Sequence, residues 1–262
     1  MNLARVWAII LRHLWLFFEI NRITWIFYWP LVDMTMWGFT GMWVQQGNIA
    51  QPLLAQALIT GMVFWQMTMR AGFEISMGLL EELWSFNMLN LFSTPLKLRE
   101  WIVAMIILAI INCSVITLYC SLLAWFMYGI NIMVSGWQLS LFSIPIFITG
   151  LAMSCFASAI VIYFGARVQS LVWIMSWLFA PFSGALYPIE VLPQAGQLIA
   201  QAIPLSYAFQ GIRLLVVEHT FSTYHFWIST IMGSIYLGLI MWYFYCMFVW
   251  SKQKGFARLT VD

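Results

Sequence analysis

Five charged side chains, Glu81, Glu82, Lys97, Arg99 and Glu100, fall within twenty positions of a chain that is 63% hydrophobic and only 8% charged. Long apolar segments flank them on both sides. A charge near the centre of a membrane span costs about 2.5–3.5 kcal/mol. Residues 78–100 are therefore excluded from hydrocarbon and belong in water or at the interface. Yet Leu83, Phe86, Leu89 and Leu91 to Phe92 offer an apolar helical stripe that needs a partner. A charged, half-apolar helix hung between two apolar runs reads as a docking element; the plainer alternative is a short amphipathic helix resting on lipid headgroups.

The apolar runs reach the ~20 residues needed to cross a bilayer core. With 16 Trp and 21 Phe in 262 residues, the chain reads as an all-α integral membrane protein, a single transmembrane domain over 1–262 with no sizeable soluble part. Net charge is only +2, and the basic residues sit at the edges of apolar runs, where they report topology rather than nucleic-acid binding. Cys113, Cys120, Cys155 and Cys246 fall inside apolar runs and read as small buried residues rather than a disulfide framework. Arg5 and Arg12 interrupt the first apolar stretch and no small-residue cleavage site follows, so no cleavable signal is expected.

In chain order, residues 1–22 place Asn2, Arg5, Arg12, His13, Glu19 and Arg22 on one half of a helical wheel. Val6, Trp7, Ile10, Leu11, Leu14, Phe17 and Phe18 lie on the other. That pattern predicts an interfacial helix. Spans are expected at 23–44, 53–77, 101–128, 137–164, 171–187 and 226–250. The first carries Pro30 and Asp33; an acid at membrane depth is either functional or hydrogen-bonded to a neighbouring helix. Seventeen residues separate Leu53 from Arg70, about 25 Å of helix, which puts Arg70 near the far edge of the hydrocarbon. Glu74 follows four positions later and can pair with it. Pro188, Pro193 and Pro204 break 188–217 into two pieces, neither long enough to cross.

With the N-terminus cytoplasmic and six spans, Arg5, Arg12, Arg22, Lys97, Arg99, Arg167, Lys252, Lys254 and Arg258 all lie inside. If 194–217 crossed as well, the basic tail would be exported, against the positive-inside tendency. The broken segment is therefore expected to enter from outside and return, leaving both termini cytoplasmic.

Catalytic chemistry is not legible. His13, His219 and His225 have no metal-ligand spacing. No Gly-x-x-x-x-Gly-Lys-Ser/Thr loop occurs, and no lysine follows a glycine. A secondary transporter usually shows several charged groups at mid-membrane, whereas Asp33 is nearly alone. An energy source is expected to act from a partner through 78–100.

Certain motifs carry a resemblance: Trp29-Pro30-Leu31 in the first span, Leu80-Glu81-Glu82-Leu83 after the second, then Ser93-Thr94-Pro95-Leu96. The most specific is Pro181-Phe182-Ser183-Gly184-Ala185-Leu186-Tyr187-Pro188-Ile189-Glu190-Val191-Leu192-Pro193, with Ile203-Pro204-Leu205-Ser206-Tyr207 and Gly211-Ile212-Arg213 beyond it. In order and spacing, over essentially the whole chain, this resembles the permease subunits of type-2 ABC exporters. The resemblance implies an exporter of a lipid, lipid-linked glycan or drug in the bacterial cytoplasmic membrane. It implies a second permease copy, and two ABC ATPase subunits that hold ATP and magnesium, with no cofactor on this chain. Glu81, Glu82, Ser85, Phe86 and Leu89 would then couple to the ATPase, and Gly184, Tyr187, Pro188, Leu192, Pro193 and Pro204 would shape an external gate. The rival is an intramembrane lipid-modifying enzyme using Asp33 or the Arg70–Glu74 pair.

Overall fold

A computed structural model describes residues 2–17, 20–47, 53–132 and 136–255, which hold helices and turns and no strand. The α-helices are α1 (Leu3–Phe17), α2 (Ile20–Gly47), α3 (Leu54–Trp84), α4 (Met88–Ser93), α5 (Leu98–Tyr128), α6 (Trp137–Leu141), α7 (Ser143–Phe164), α8 (Ser170–Leu178), α9 (Gln194–Gln201), α10 (Pro204–Val217) and α11 (Thr223–Lys254). Among the described residues, α5, α6 with α7, and α11 are long and apolar enough to cross a membrane; α9 and α10 make a fourth if the bent pair is one span. Glu19, Arg258 and residues 48–52 lie outside the described residues, as do the side chains of Arg22 and Leu89.

Local chemistry explains the element ends. Gly129 adopts φ 68° and closes α5, with its own N–H and that of Ile130 turned back onto Trp125 and Ala124 carbonyls; glycine accepts this left-handed cap without penalty. Ser222 starts α11 by accepting the His225 N–H. Pro145 sits in the first turn of α7, where its missing donor is harmless. Pro30, by contrast, lies inside α2, and the helix runs through it.

The expected fifth span, 171–187, is not one helix. Helix α8 has nine residues, about 14 Å at the α-helical rise. It gives way to a 3₁₀ turn at Ala180–Phe182, a left-handed Gly184 at φ 72° and an extended Pro188. Pro181 and Pro188 remove two backbone donors, so the helix cannot be continued. The expected second span is instead longer than 53–77, running unbroken to Trp84.

Helix α7 packs between α3 and α11, and α3 is flanked by α2, α5 and α7. Small residues permit the close crossings. A side chain at Gly150 would run into Ala71 on α3, and one at Gly233 on α11 would touch Thr149. Ser154 on α7 takes hydrogen bonds from the amides of both Ile75 and Ser76, each at 3.0 Å. Two buried clusters result. Residues Ile59 to Ala71 of α3 belong to the one that includes Ala185 and α10, and Ile75 to Leu83 to the one that includes α1. Outside, Trp29, Phe39 and Trp43 on α2, Ile110, Leu118, Trp125 and Phe126 on α5, and Trp227, Ile231, Leu239 and Trp242 on α11 are exposed. Apolar surface on so many helices suits a lipid environment rather than water.

Candidate functional site

The charged stretch folds as a bent hinge, not as one amphipathic helix. Helix α3 ends at Trp84; Phe86 then adopts φ 53°, and α4 resumes for six residues. Ser85 helps end α3 by donating to the Glu81 carbonyl at 2.7 Å. The break at Phe86 divides the apolar stripe read from 83–92. Leu83 is buried, whereas Trp84 and Phe86 project outward, Phe86 at 65% exposure. Glu81 is half-buried at the end of α3.

Glu82 points inward and is 1% exposed. Arg12 of α1 meets it at 2.6 Å through one guanidinium nitrogen and donates at 3.2 Å through the other. Asn87 donates to the same carboxylate at 2.7 Å. Glu82 is thus an internal anchor, where the sequence suggested a docking contact.

A second acid repeats the device. Glu100 is 2% exposed and accepts the backbone N–H groups of Asn2 at 2.7 Å and Lys97 at 3.1 Å, with Arg5 at 3.6 Å. Those two N–H groups, chiefly, hold its carboxyl below the usual glutamate value. Arg5 also donates to the Pro95 carbonyl at 2.5 Å. Helix α1 is therefore clamped across the hinge at both ends of 82–100. Its buried face is Val6, Ile9, Ile10 and His13, the first three in one cluster with Leu79, Leu83 and Trp101. Trp7, Leu11 and Trp15 are left exposed. The wheel had placed His13 on the polar side; its Nδ1 lies 3.0 Å from the Ile9 carbonyl, which makes burial tolerable.

Along α3, Gln66, Arg70 and Glu74 recur every fourth residue and form one polar stripe. Gln66 donates to Asp33 of α2 at 2.9 Å. Arg70 and Glu74 pair at 3.6 Å, and Glu74 also accepts from Asn112 of α5 at 2.7 Å. The Nε of Arg70 is buried without a hydrogen-bond acceptor. Asp33 is thus hydrogen-bonded to a neighbouring helix, and Arg70 and Glu74 meet as their spacing suggested.

At the other end of α3, Gly61 packs so closely on the Ala185 carbonyl that no Cβ fits between them. Ser183, Gly184 and Ala185 are buried in non-helical backbone. Arg213 of α10 donates to the Gly184 carbonyl at 3.0 Å, and Ser183 Oγ accepts the Ala185 N–H at 3.2 Å. Tyr187 donates to Pro181 at 2.8 Å and closes the turn. Pro193 precedes α9, Pro204 opens α10, and the two helices meet at 97°. Ser206 ties that corner, with its Oγ 2.6 Å from the Ala200 carbonyl and 2.8 Å from that of Ile203. Leu192 packs under Gly196 and its carbonyl accepts from Gln197 at 2.8 Å. The six residues singled out from 184–204 therefore shape one end of the bundle, which meets α3 at Gly61, about 35 Å along that helix from its end at Trp84.

Arg12, Glu100, Gln66, Asn112 and Arg213 complete these groups, although sequence reasoning had not chosen them as sites. The spacing of Lys97 and Glu100, a carboxylate three residues past a helix start, is the one local signal among them. The chain matches no protein-family model and no curated protein.

Proposed function

We propose that the chain is the transmembrane subunit of an ATP-driven exporter, powered by a separate ABC ATPase, in the bacterial cytoplasmic membrane. The observation that carries this reading is the pairing of two unlike ends on one continuous helix. A clamped, charged hinge with projecting aromatic side chains lies at one end of α3. A buried irregular segment beside a 97° helix corner lies at the other. Motion imposed at the hinge has a rigid path to the far end.

In this reading six segments cross: α2, α3, α5, α6–α7, the 170–188 segment and α11. The fifth reaches across only by joining short α8 to the irregular 179–188 backbone. Such backbone is tolerated at membrane depth where protein satisfies it, which Arg213 and Ser183 do for Gly184 and Ala185. Both termini face the cytoplasm, and α9–α10 enters from outside and returns. A second copy completes the path, since exposed apolar faces remain on α2 and α5.

Phe86, Trp84 and Glu81 form the docking face in this account, and Glu82 holds it in place. The test is co-expression with an ABC ATPase encoded beside it, followed by purification and assay of ATP hydrolysis. Phe86→Ala should lower the ATPase recovered at least fivefold while the permease still inserts; full recovery and unchanged hydrolysis in that variant would remove the coupling role.

A further inference from the structure

We propose that the cleft between the Ile189–Val191 turn, α9, α10 and the first turn of α11 is a binding site for a saccharide. The cleft has a volume of about 420 Å³, within the range of roughly 300–1,000 Å³ typical of small-molecule sites. Its wall includes Glu190, Gln201, Tyr207, Gln210, Tyr224 and His225.

Some polar groups there are already used by the fold. Gln197 and Ser206 also line the cleft, but they bond to the backbone carbonyls of Leu192 and Ala200 and so fix its walls. The Nδ1 of His225 lies 2.7 Å from Ser222 Oγ. The side-chain amides of Gln201 and Gln210, the Glu190 carboxylate and the Tyr224 hydroxyl make no hydrogen bond among the described residues. Two amides, a carboxylate and a phenol give donors and acceptors interleaved around one space.

That mixture selects the ligand. The cleft is lined by an acid and by no lysine or arginine, and the nearby Arg213 guanidinium is engaged by Gly184. A phosphate or carboxylate would find no lysine or arginine in that lining to pair with. Vicinal hydroxyls, each both donor and acceptor, match amides and a carboxylate. The aromatic groups supply flat apolar faces for a pyranose ring. Tyr224 and His225 lie 5.3 Å apart at 87°, and Tyr207 stands 6.4 Å from His225.

Tyr224 also borders a furrow of about 380 Å³ running down α11 past Trp227, Ile228, Ile231 and Met232. The saccharide could therefore arrive free in water or as a lipid headgroup with its chain in that furrow. Its role as transported cargo rests on the exporter reading; its existence as a site does not.

The purified chain in lipid nanodiscs is tested by saturation-transfer NMR with methyl glycosides of glucose and galactose and with N-acetylglucosamine. Transfer to ring protons of at least one sugar is expected. It should fall at least fivefold in the Gln201→Leu, Gln210→Leu double variant and about twofold in Tyr224→Phe, while Gln46→Leu, outside the cleft, leaves it unchanged. In a second arm the discs carry monoglucosyl diacylglycerol. Displacement of methyl glucoside by that lipid assigns the headgroup as occupant, and no displacement assigns the free sugar. The proposal is overturned if none of the three sugars shows transfer, if transfer survives both Tyr224→Phe and the double variant, or if choline gives the cleft-dependent signal instead. No ATPase enters this assay. Failure of ATPase co-purification alongside intact sugar binding would therefore sink the exporter reading and leave the site.

Discussion

Arg70 is the residue whose neighbourhood is most exacting. Its Nε lacks a hydrogen-bond acceptor, its carboxylate partner is 11% exposed on the side chain, and among the described residues Asn112 is the only other donor to that carboxylate. An exposed pair of this spacing is worth only about 0.2–0.5 kcal/mol, but a desolvated charge left alone costs more than the pair contributes. Arg70→Ala should therefore lower stability by about 1–3 kcal/mol, and Arg70→Ala with Glu74→Ala by less. Thermal unfolding in detergent of both single variants and the double checks the order; a double loss equal to the sum of the two single losses would show that the two charges do not interact. Glu100 carries a pH dependence of definite sign. It precedes the apolar run 101–128, and its carboxyl is held below the ordinary value of 4.5. The stabilisation is thus complete above 4.5 and disappears as pH falls through the lowered folded value. Spin labels at Ala8 and Arg99 should show a single narrow distance at neutral pH that broadens on strong acidification, and Glu100→Gln should broaden it already at neutral pH.

Among elements, the α9–α10 corner shows how a break is kept. Proline at the first position of α10 stops α9 from running on. Ser206 then holds the carbonyls of Ala200 and Ile203, the groups a straight helix would have used. Pro204→Ala alone should leave the bend in place, while Pro204→Ala with Ser206→Ala should open it, read as a lengthened distance between labels at Gln194 and Glu218. The α3 contact with 183–185 is less forgiving. Gly61→Ala would drive a methyl group into the Ala185 carbonyl, and overpacking of this kind costs about 1–3 kcal/mol. A fall in unfolding midpoint larger than that for Gly41→Ala, where the added carbon meets its neighbours at 3.5 Å, is the expected result.

At the scale of the molecule, the exporter reading makes a topological demand. Gln194 and Glu218 bracket the bent pair, so in a background lacking Cys113, Cys120, Cys155 and Cys246 a cysteine at either position should react with an impermeant reagent from outside. Labelling of one from outside and the other only from inside would make α9–α10 a crossing, and would overturn the six-span arrangement. Clamping of α1 adds a second demand. Arg5 and Arg12 lie seven residues apart, two helical turns, and each reaches an acid on the hinge. The N-terminal helix and the 82–100 hinge should consequently move as one body.

The sequence by itself determined an all-helical chain with helices long and apolar enough to cross a membrane, and it located the Arg70–Glu74 pair and the breaks at Pro188, Pro193 and Pro204. These are local quantities: transfer cost sums along a run, helical spacing sets which neighbours meet, and proline acts on its own turn. Only the tertiary structure decided that Glu82 faces Arg12 across 70 positions, that Glu100 caps α1, and that Arg213 satisfies a carbonyl 29 residues away. It also decided that 171–187 is a short helix continued by irregular backbone. A charge on a helical wheel looks solvated until a second helix covers it, and a carbonyl freed by a glycine turn looks costly until an arginine from another helix reaches it. Both outcomes depend on packing between distant segments, which no window along the chain contains.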